Sequence, residues 1–165
     1  MITFLNGTLT DALPTQAVID VNGIGYEVLI PLSSFEKLPG LGQAVTLKTQ
    51  LVVREDSQTL YGFATDDERD LFKLIQSVSG IGPRLALNVL SGMSVVTFKG
   101  AIGACDVKLL SSINGVGKKT AERMVLELKD KVGVAVGAAT ALGQATAPRD
   151  KTIADAAAAL EALGT

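Results

Sequence analysis

The chain has 165 residues, 47% hydrophobic and 19% charged, with one cysteine, no histidine and a formal net charge of −2. That composition specifies a globular protein of one or two domains and removes the commonest general base and metal ligand. Cys105 alone can form neither an internal disulfide nor a thiolate cluster and reads as a small buried apolar side chain. Met1–Asn6 lacks the basic start and apolar core of a signal peptide, and no apolar run has the length of a membrane span. The expected protein is therefore soluble and cytoplasmic, with no membrane partner.

The first 63 residues read as five strands rich in β-branched and aromatic residues: 3–10, 16–21, 26–30, 45–53 and 59–63. Asn22-Gly23 marks a tight hairpin between the second and third. Residues 33–38 supply a helical turn or two before the fourth. Five short strands with such an insert predict a small OB-type barrel, with an SH3-like barrel as the alternative. The run VVREDSQTLYGF, residues 52–63, places two adjacent carboxylates, Glu55 and Asp56, at the tip of the last hairpin.

From Asp66 the hydrophobic period becomes helical: Leu71, Phe72, Ile75 and Val78 follow the acidic first turn Asp66-Asp67-Glu68. Further helices are predicted over 83–91, 94–104, 106–112 and 118–131, giving an α+β chain with an all-α domain over 64–131. Residues 132–150, mostly Gly, Ala, Val and Thr, read as a flexible linker. Residues 151–163 read as one alanine-rich helix, too short to be stable alone. Charge is segregated along the chain: −3 over residues 1–62, −2 over 63–78, +4 over 79–131 and −1 over 132–165. The basic block is the footprint of a polyanionic partner.

Inside that block a motif repeats at an offset of 35. VSGIGPRLALNVL (78–90) aligns with INGVGKKTAERMV (113–125), superposing Gly80 on Gly115, Gly82 on Gly117 and Arg84 on Lys119. Each copy reads as a tight turn feeding a helix N-terminus, with Pro83 at a position that favours proline. Glycine admits positive φ and close approach of a ligand, and unpaired N–H groups at a helix start form an anion site. Arg84, Lys118, Lys119 and Arg123 follow on the first turns. A dinucleotide fingerprint is excluded by the missing third glycine and preceding strand. A nucleotide-hydrolysing P-loop is excluded because Ser112 stands where its first glycine belongs and Lys119 where its Ser/Thr belongs. The bland reading, two helix connections with solvated lysines, does not account for the repetition.

The repeat resembles the tandem helix-hairpin-helix motif of DNA-binding proteins, which grips phosphates on both strands with little sequence information. With the barrel, the VVREDSQTLYGF hairpin, LSGMS (90–94) and GVGKKTAER (115–123), residues 1–131 resemble the RuvA family of Holliday-junction-binding proteins. The resemblance implies a homotetramer, or a back-to-back octamer, that holds a four-way junction open for branch migration. It implies a hexameric RuvB-like ATPase as motor partner and a RuvC-like resolvase as a further one. The chain itself would have no catalytic site and no cofactor, ATP being consumed by the motor. Phosphate contacts would come from Gly80, Gly82, Arg84, Gly115, Gly117, Lys118, Lys119 and Arg123, and Glu55 and Asp56 would form an acidic pin that separates strands. The family carries a small three-helix motor-binding domain after the linker; only its start, 151–165, is expected here. The readings from other classes are a glycosylase or lyase on the same scaffold and a generic duplex binder. A repair enzyme would need a Gly/Pro-rich loop with a catalytic aspartate after Lys118, where the sequence instead continues as helix. Single-strand binding by the barrel would need exposed aromatic platforms, and alternation places most of Phe4, Tyr26, Phe35, Tyr61 and Phe63 in the core.

Overall fold

The computed structural model describes residues 1–146. Five strands, β1 (Phe4–Leu13), β2 (Gln16–Val21), β3 (Ile24–Leu29), β4 (Ala44–Arg54) and β5 (Ser57–Phe63), close into a barrel in the order β1-β2-β3-β5-β4. The order settles the choice of barrel in favour of the OB type. Closure depends on β1 serving two neighbours. Phe4–Thr8 pairs with β4 and Thr8–Leu13 with β2, and a register shift between Leu9 and Asp11 bends the strand from one to the other. Period-two alternation fills the interior with Leu5, Leu9, Ala17, Ile19, Val28, Ile30, Val45 and Leu47, all buried. Thr49, also buried, is satisfied because its Oγ1 donates to the Ile2 carbonyl at 2.7 Å.

Three hairpins have two-residue loops, at Pro14-Thr15, Asn22-Gly23 and Glu55-Asp56, and the last two differ in their backbones. Asn22 and Gly23 both have positive φ, 54° and 91°, as a type I′ turn demands. The β4–β5 hairpin also has a two-residue loop, since Arg54 pairs with Ser57, yet neither Glu55 nor Asp56 has positive φ. Any side chain is therefore tolerated there, and both residues are exposed.

A short helix, α1 (Leu32–Phe35), precedes β4; then follow α2 (Asp66–Gln76), α3 (Pro83–Gly92), α4 (Val95–Gly103), α5 (Val107–Ser111) and α6 (Lys118–Thr146). Met1–Leu128 forms one compact unit and a second begins at Lys129. In the first, the barrel and helices share a core: Phe72 of α2 lies 5.0 Å from Tyr61 and 4.8 Å from Phe63, ring centre to ring centre. A polar joint lies beside them. The buried Glu68 carboxylate accepts hydroxyl hydrogen bonds from Ser33, Ser34 and Thr65 and pairs with Lys37 at 3.7 Å. The Thr65 hydroxyl in turn accepts from the Glu68 N–H, so the contact that caps α2 also fastens it to α1.

Two expectations are revised. Cys105 is exposed, not buried, with φ 55°. It sits just past the end of α4, where its N–H donates to the Ile102 carbonyl and the Asp106 N–H donates to the Ala101 carbonyl. That is the Schellman bond pattern, whose left-handed residue is usually glycine. A Cβ there costs about 1–2 kcal/mol, so Cys105→Gly is expected to raise stability by about 1 kcal/mol, read as a higher denaturation midpoint with an unchanged m value. Helix α6 also runs beyond the expected end at 131, through residues that composition places in a linker. Ala135, Ala138, Ala139, Ala141 and Ala145 favour helix, and no proline intervenes before Pro148. Residues 147–150 of the expected linker and the expected helix and C-terminal domain of 151–165 lie outside the described residues.

Candidate nucleic-acid interface

The repeat found in the sequence is a repeat of hydrogen bonds. In the first turn the N–H groups of Ser77, Val78, Ile81 and Ala86 donate to the carbonyls of Leu74, Ile75, Val78 and Gly82. In the second, Ser112, Ile113, Val116 and Ala121 donate to Leu109, Leu110, Ile113 and Gly117, the same bonds 35 residues on. Even the hydroxyls match, Ser77 Oγ donating to Leu74 and Ser112 Oγ to Leu109. Ile81 and Val116 are buried and pin their turns from within.

The paired glycines divide the work. Gly80 and Gly115 carry the positive φ, 85° and 90°, that L side chains rarely adopt. Gly82 has φ −92° and caps α3 without a side-chain bond, so its value is the open space its missing Cβ leaves over the helix start. A Cβ at Gly117 would meet nothing within 4 Å.

The two hairpins pack by pseudo-twofold symmetry. A Cβ on Gly80 would lie 3.3 Å from Arg123 Nη1, and one on Gly115 would lie 3.5 Å from Asn88 Nδ2. Both pairs are related by the same 35-residue offset with the partners exchanged, so each turn rests on the other hairpin's second helix. A cleft of about 190 Å³ between them is lined by Ser79, Gly80, Ile81, Lys119, Thr120 and Arg123.

Gly82, Arg84, Lys118, Lys119 and Arg123 are exposed, as are Gly80, Gly115 and Gly117. Arg123 is also engaged within the fold, its Nη1 donating to the Ser79 carbonyl at 3.2 Å. The ion pairs Lys37–Glu68, Lys48–Asp66 and Arg69–Asp66 lie at the joint between barrel and α2, and among the described residues none involves Arg84, Lys118 or Lys119. Arg84, Lys118 and Lys119 are thus left unneutralised beside two helix N-termini, an arrangement suited to phosphate oxygens.

The acidic tip meets this surface. A cleft of about 490 Å³ is lined on one side by Val52, Arg54, Asp56 and Tyr61 and on the other by Gly82, Pro83 and Arg84. Asp56 and Arg84, assigned separately from sequence, share it; Glu55 is not among its lining residues. Arg54 was missed by sequence reasoning. A Cβ on Gly82 would stand 4.0 Å from Arg54 Nη2, so this guanidinium adjoins the first helix start and stands one residue from the carboxylates. Its adjacency to Glu55 in the hairpin was the available signal.

A closed OB-type barrel followed by two pseudo-twofold helical hairpins with basic first turns is the architecture of tandem helix-hairpin-helix proteins. Residues 72–130 match the SAM-like helix-hairpin-helix tandem family, and residues 1–62 match the RuvA N terminal domain. The chain is 49% identical over 168 residues to a protein of Opitutus terrae named Holliday junction branch migration complex subunit RuvA, covering 99% of this chain and 84% of that one. The protein of the same name from Albidiferax ferrireducens is 48% identical over 99% of this chain and 90% of its own length. That of Chromobacterium violaceum is 52% identical over 80% of this chain and 67% of its own. The chain belongs to the RuvA family.

Proposed function

We propose that this protein binds four-way DNA junctions through the phosphate backbone and holds them open while a separate ATPase drives branch migration. The observation that carries the reading is the pair of glycine turns, superposable bond for bond, that set two uncapped basic helix starts about a pseudo-twofold axis. Two such starts suit the two antiparallel backbones of one duplex arm. Gly80, Gly82 and Arg84 serve one strand and Gly115, Gly117, Lys118 and Lys119 the other, with Arg123 between them. Arg54 extends the basic track toward the tip, where Glu55 and Asp56 repel phosphate and keep strands from resting at the crossover.

The name of the relatives, Holliday junction branch migration complex subunit RuvA, supports assigning the chemistry to a RuvB-like hexameric motor and the binding role to this chain. A cyclic tetramer, alone or as a back-to-back octamer, would set four tips about one axis, matching a four-armed substrate. A RuvC-like resolvase would reach the junction on a face left open. The segment 151–165 is assigned to the motor contact, and the protein to the cytoplasmic nucleoid. Among the described residues no single helix is long and apolar enough to cross a membrane.

A mobility-shift titration of four-way junction, linear duplex and single strand at one salt concentration tests the reading. The junction is expected to bind far more tightly than the others and without dependence on arm sequence; equal affinity for all three contradicts it. Gly117→Val probes the grip itself. The site has open space around its missing Cβ, so the protein folds, but the side chain blocks close approach of phosphate. The expected loss is about tenfold or more, given about 1.5–3 kcal/mol for a hydrogen bond to a charged group. By contrast, Lys119→Ala is expected to weaken binding to all sequences alike and to flatten the slope of log affinity against log salt by about 0.9.

A further inference from the structure

The pseudo-symmetry of the hairpins is broken around a carboxylate. Ser79, just before Gly80, has both main-chain groups taken by α6: its N–H donates to Glu127 Oε1 at 3.2 Å, and its carbonyl accepts from Arg123 Nη1 at 3.2 Å. The equivalent residue in the second turn is Asn114, and the positions equivalent to Arg123 and Glu127 are Asn88 and Gly92. Gly92 has no side chain with which to reach back, and among the described residues no such bonds hold Asn114. The first turn is therefore fixed from outside by two side chains and the second is not.

An acidic side chain is a poor choice on a face meant for phosphate, and Glu127 lies on the same helix as Lys119 and Arg123. Its presence needs a compensating role, and the bond to Ser79 supplies one. The Ser79 N–H immediately precedes the left-handed Gly80, so fixing it restricts the peptide that orients the turn toward the helix start at Gly82. Glu127 takes up an amide whose peptide is otherwise held only by the bond from the Ile81 N–H to the Val78 carbonyl, and Arg123 takes up the Ser79 carbonyl, which would otherwise present negative potential to a phosphate.

We infer that Glu127 and Arg123 form a clamp that positions the first hairpin's phosphate-binding turn, coupling it to the helix of the second hairpin. The inference rests on the proposed junction binding for its consequence, but the clamp is a property of the free protein. Glu127 acts through Ser79 and touches no DNA. Order in the first turn is thereby supplied before binding, which lowers the entropy lost on capture of a backbone.

The test uses Glu127→Ala and Glu127→Gln in the full chain, with two readouts: residue-resolved amide hydrogen exchange without DNA, and junction affinity. Glutamine keeps an oxygen acceptor for the Ser79 N–H and removes the charge; alanine removes both. In Glu127→Ala the Ser79 amide is expected to exchange about tenfold or more faster, with Asn114 and core amides such as Ala121 unchanged, which separates a local release from loss of fold. Junction affinity falls about fivefold to tenfold in Glu127→Ala and is at least that of the parent in Glu127→Gln, about the effect of one modest hydrogen bond. The opposite signs are decisive, because a carboxylate that merely repels DNA would be improved by either change. Tighter binding by both variants, or unchanged Ser79 exchange in Glu127→Ala, overturns the clamp. Should the parent show no junction preference, the proposed function fails, while the exchange measurement still decides whether the clamp exists.

Discussion

Charge reversal at the hairpin tip, Glu55→Lys with Asp56→Lys, is expected to tighten binding to linear duplex by about one to two orders of magnitude and so to erode the preference for junctions. Opposite unit charges attract by about 1 kcal/mol at 4 Å in bulk water, and more beside a protein surface; the double change turns two repulsions per chain into attractions. Neutralisation by Glu55→Gln with Asp56→Asn should give a smaller change of the same sign. The fold accepts both, since the two residues are exposed, lie outside the core and have ordinary negative φ. Filter binding to junction and duplex at matched salt reads the effect. Neutralised protein that stays folded yet no longer binds junction would mean that the carboxylates make favourable contacts, and the repulsive pin would be wrong.

The largest effect on stability is expected at Phe72→Ala, a loss of about 3–5 kcal/mol. Phe72 is fully buried and packs at a tilt against Tyr61 and Phe63 of β5, so its removal opens a cavity at the seam between the barrel and the helices. Neighbouring Glu68 makes that seam intolerant of relaxation, because its carboxylate is held by three hydroxyls in fixed positions. Urea denaturation followed by far-ultraviolet circular dichroism gives the value directly. A loss under about 1 kcal/mol would show that the barrel and helices do not depend on this contact.

Local signals carried the fold a long way. β-branched runs at period two located the five strands, and Asn22-Gly23 gave its hairpin because its two positive φ values are what that dipeptide permits. The repeated glycines located both hairpin turns for the same reason. The ends of β1 and α6 were less legible: β1 reaches Leu13 only because two different strands pair with its halves, a tertiary fact. Cys105 was misread because nothing in its neighbours announces a left-handed residue when glycine is not used to make it. Arg54 became visible as a site residue only when β4 and α3 set it beside Gly82. The bonds from Glu127 and Arg123 to Ser79 span 48 and 44 residues, and no local pattern encodes a contact of that separation.

The most direct test of the account is the shape of the junction once bound. A four-way junction labelled with donor and acceptor dyes at the ends of its arms reports each inter-arm distance by energy transfer. Free in magnesium, the arms stack in coaxial pairs, held by about 1.4 kcal/mol per stacked step, and adjacent arms give unequal transfer. Bound to this protein, the four adjacent-arm efficiencies are expected to become equal, as in an open square. Binding that leaves the unequal pattern of the free junction in place would contradict the claim that the protein holds the crossover open.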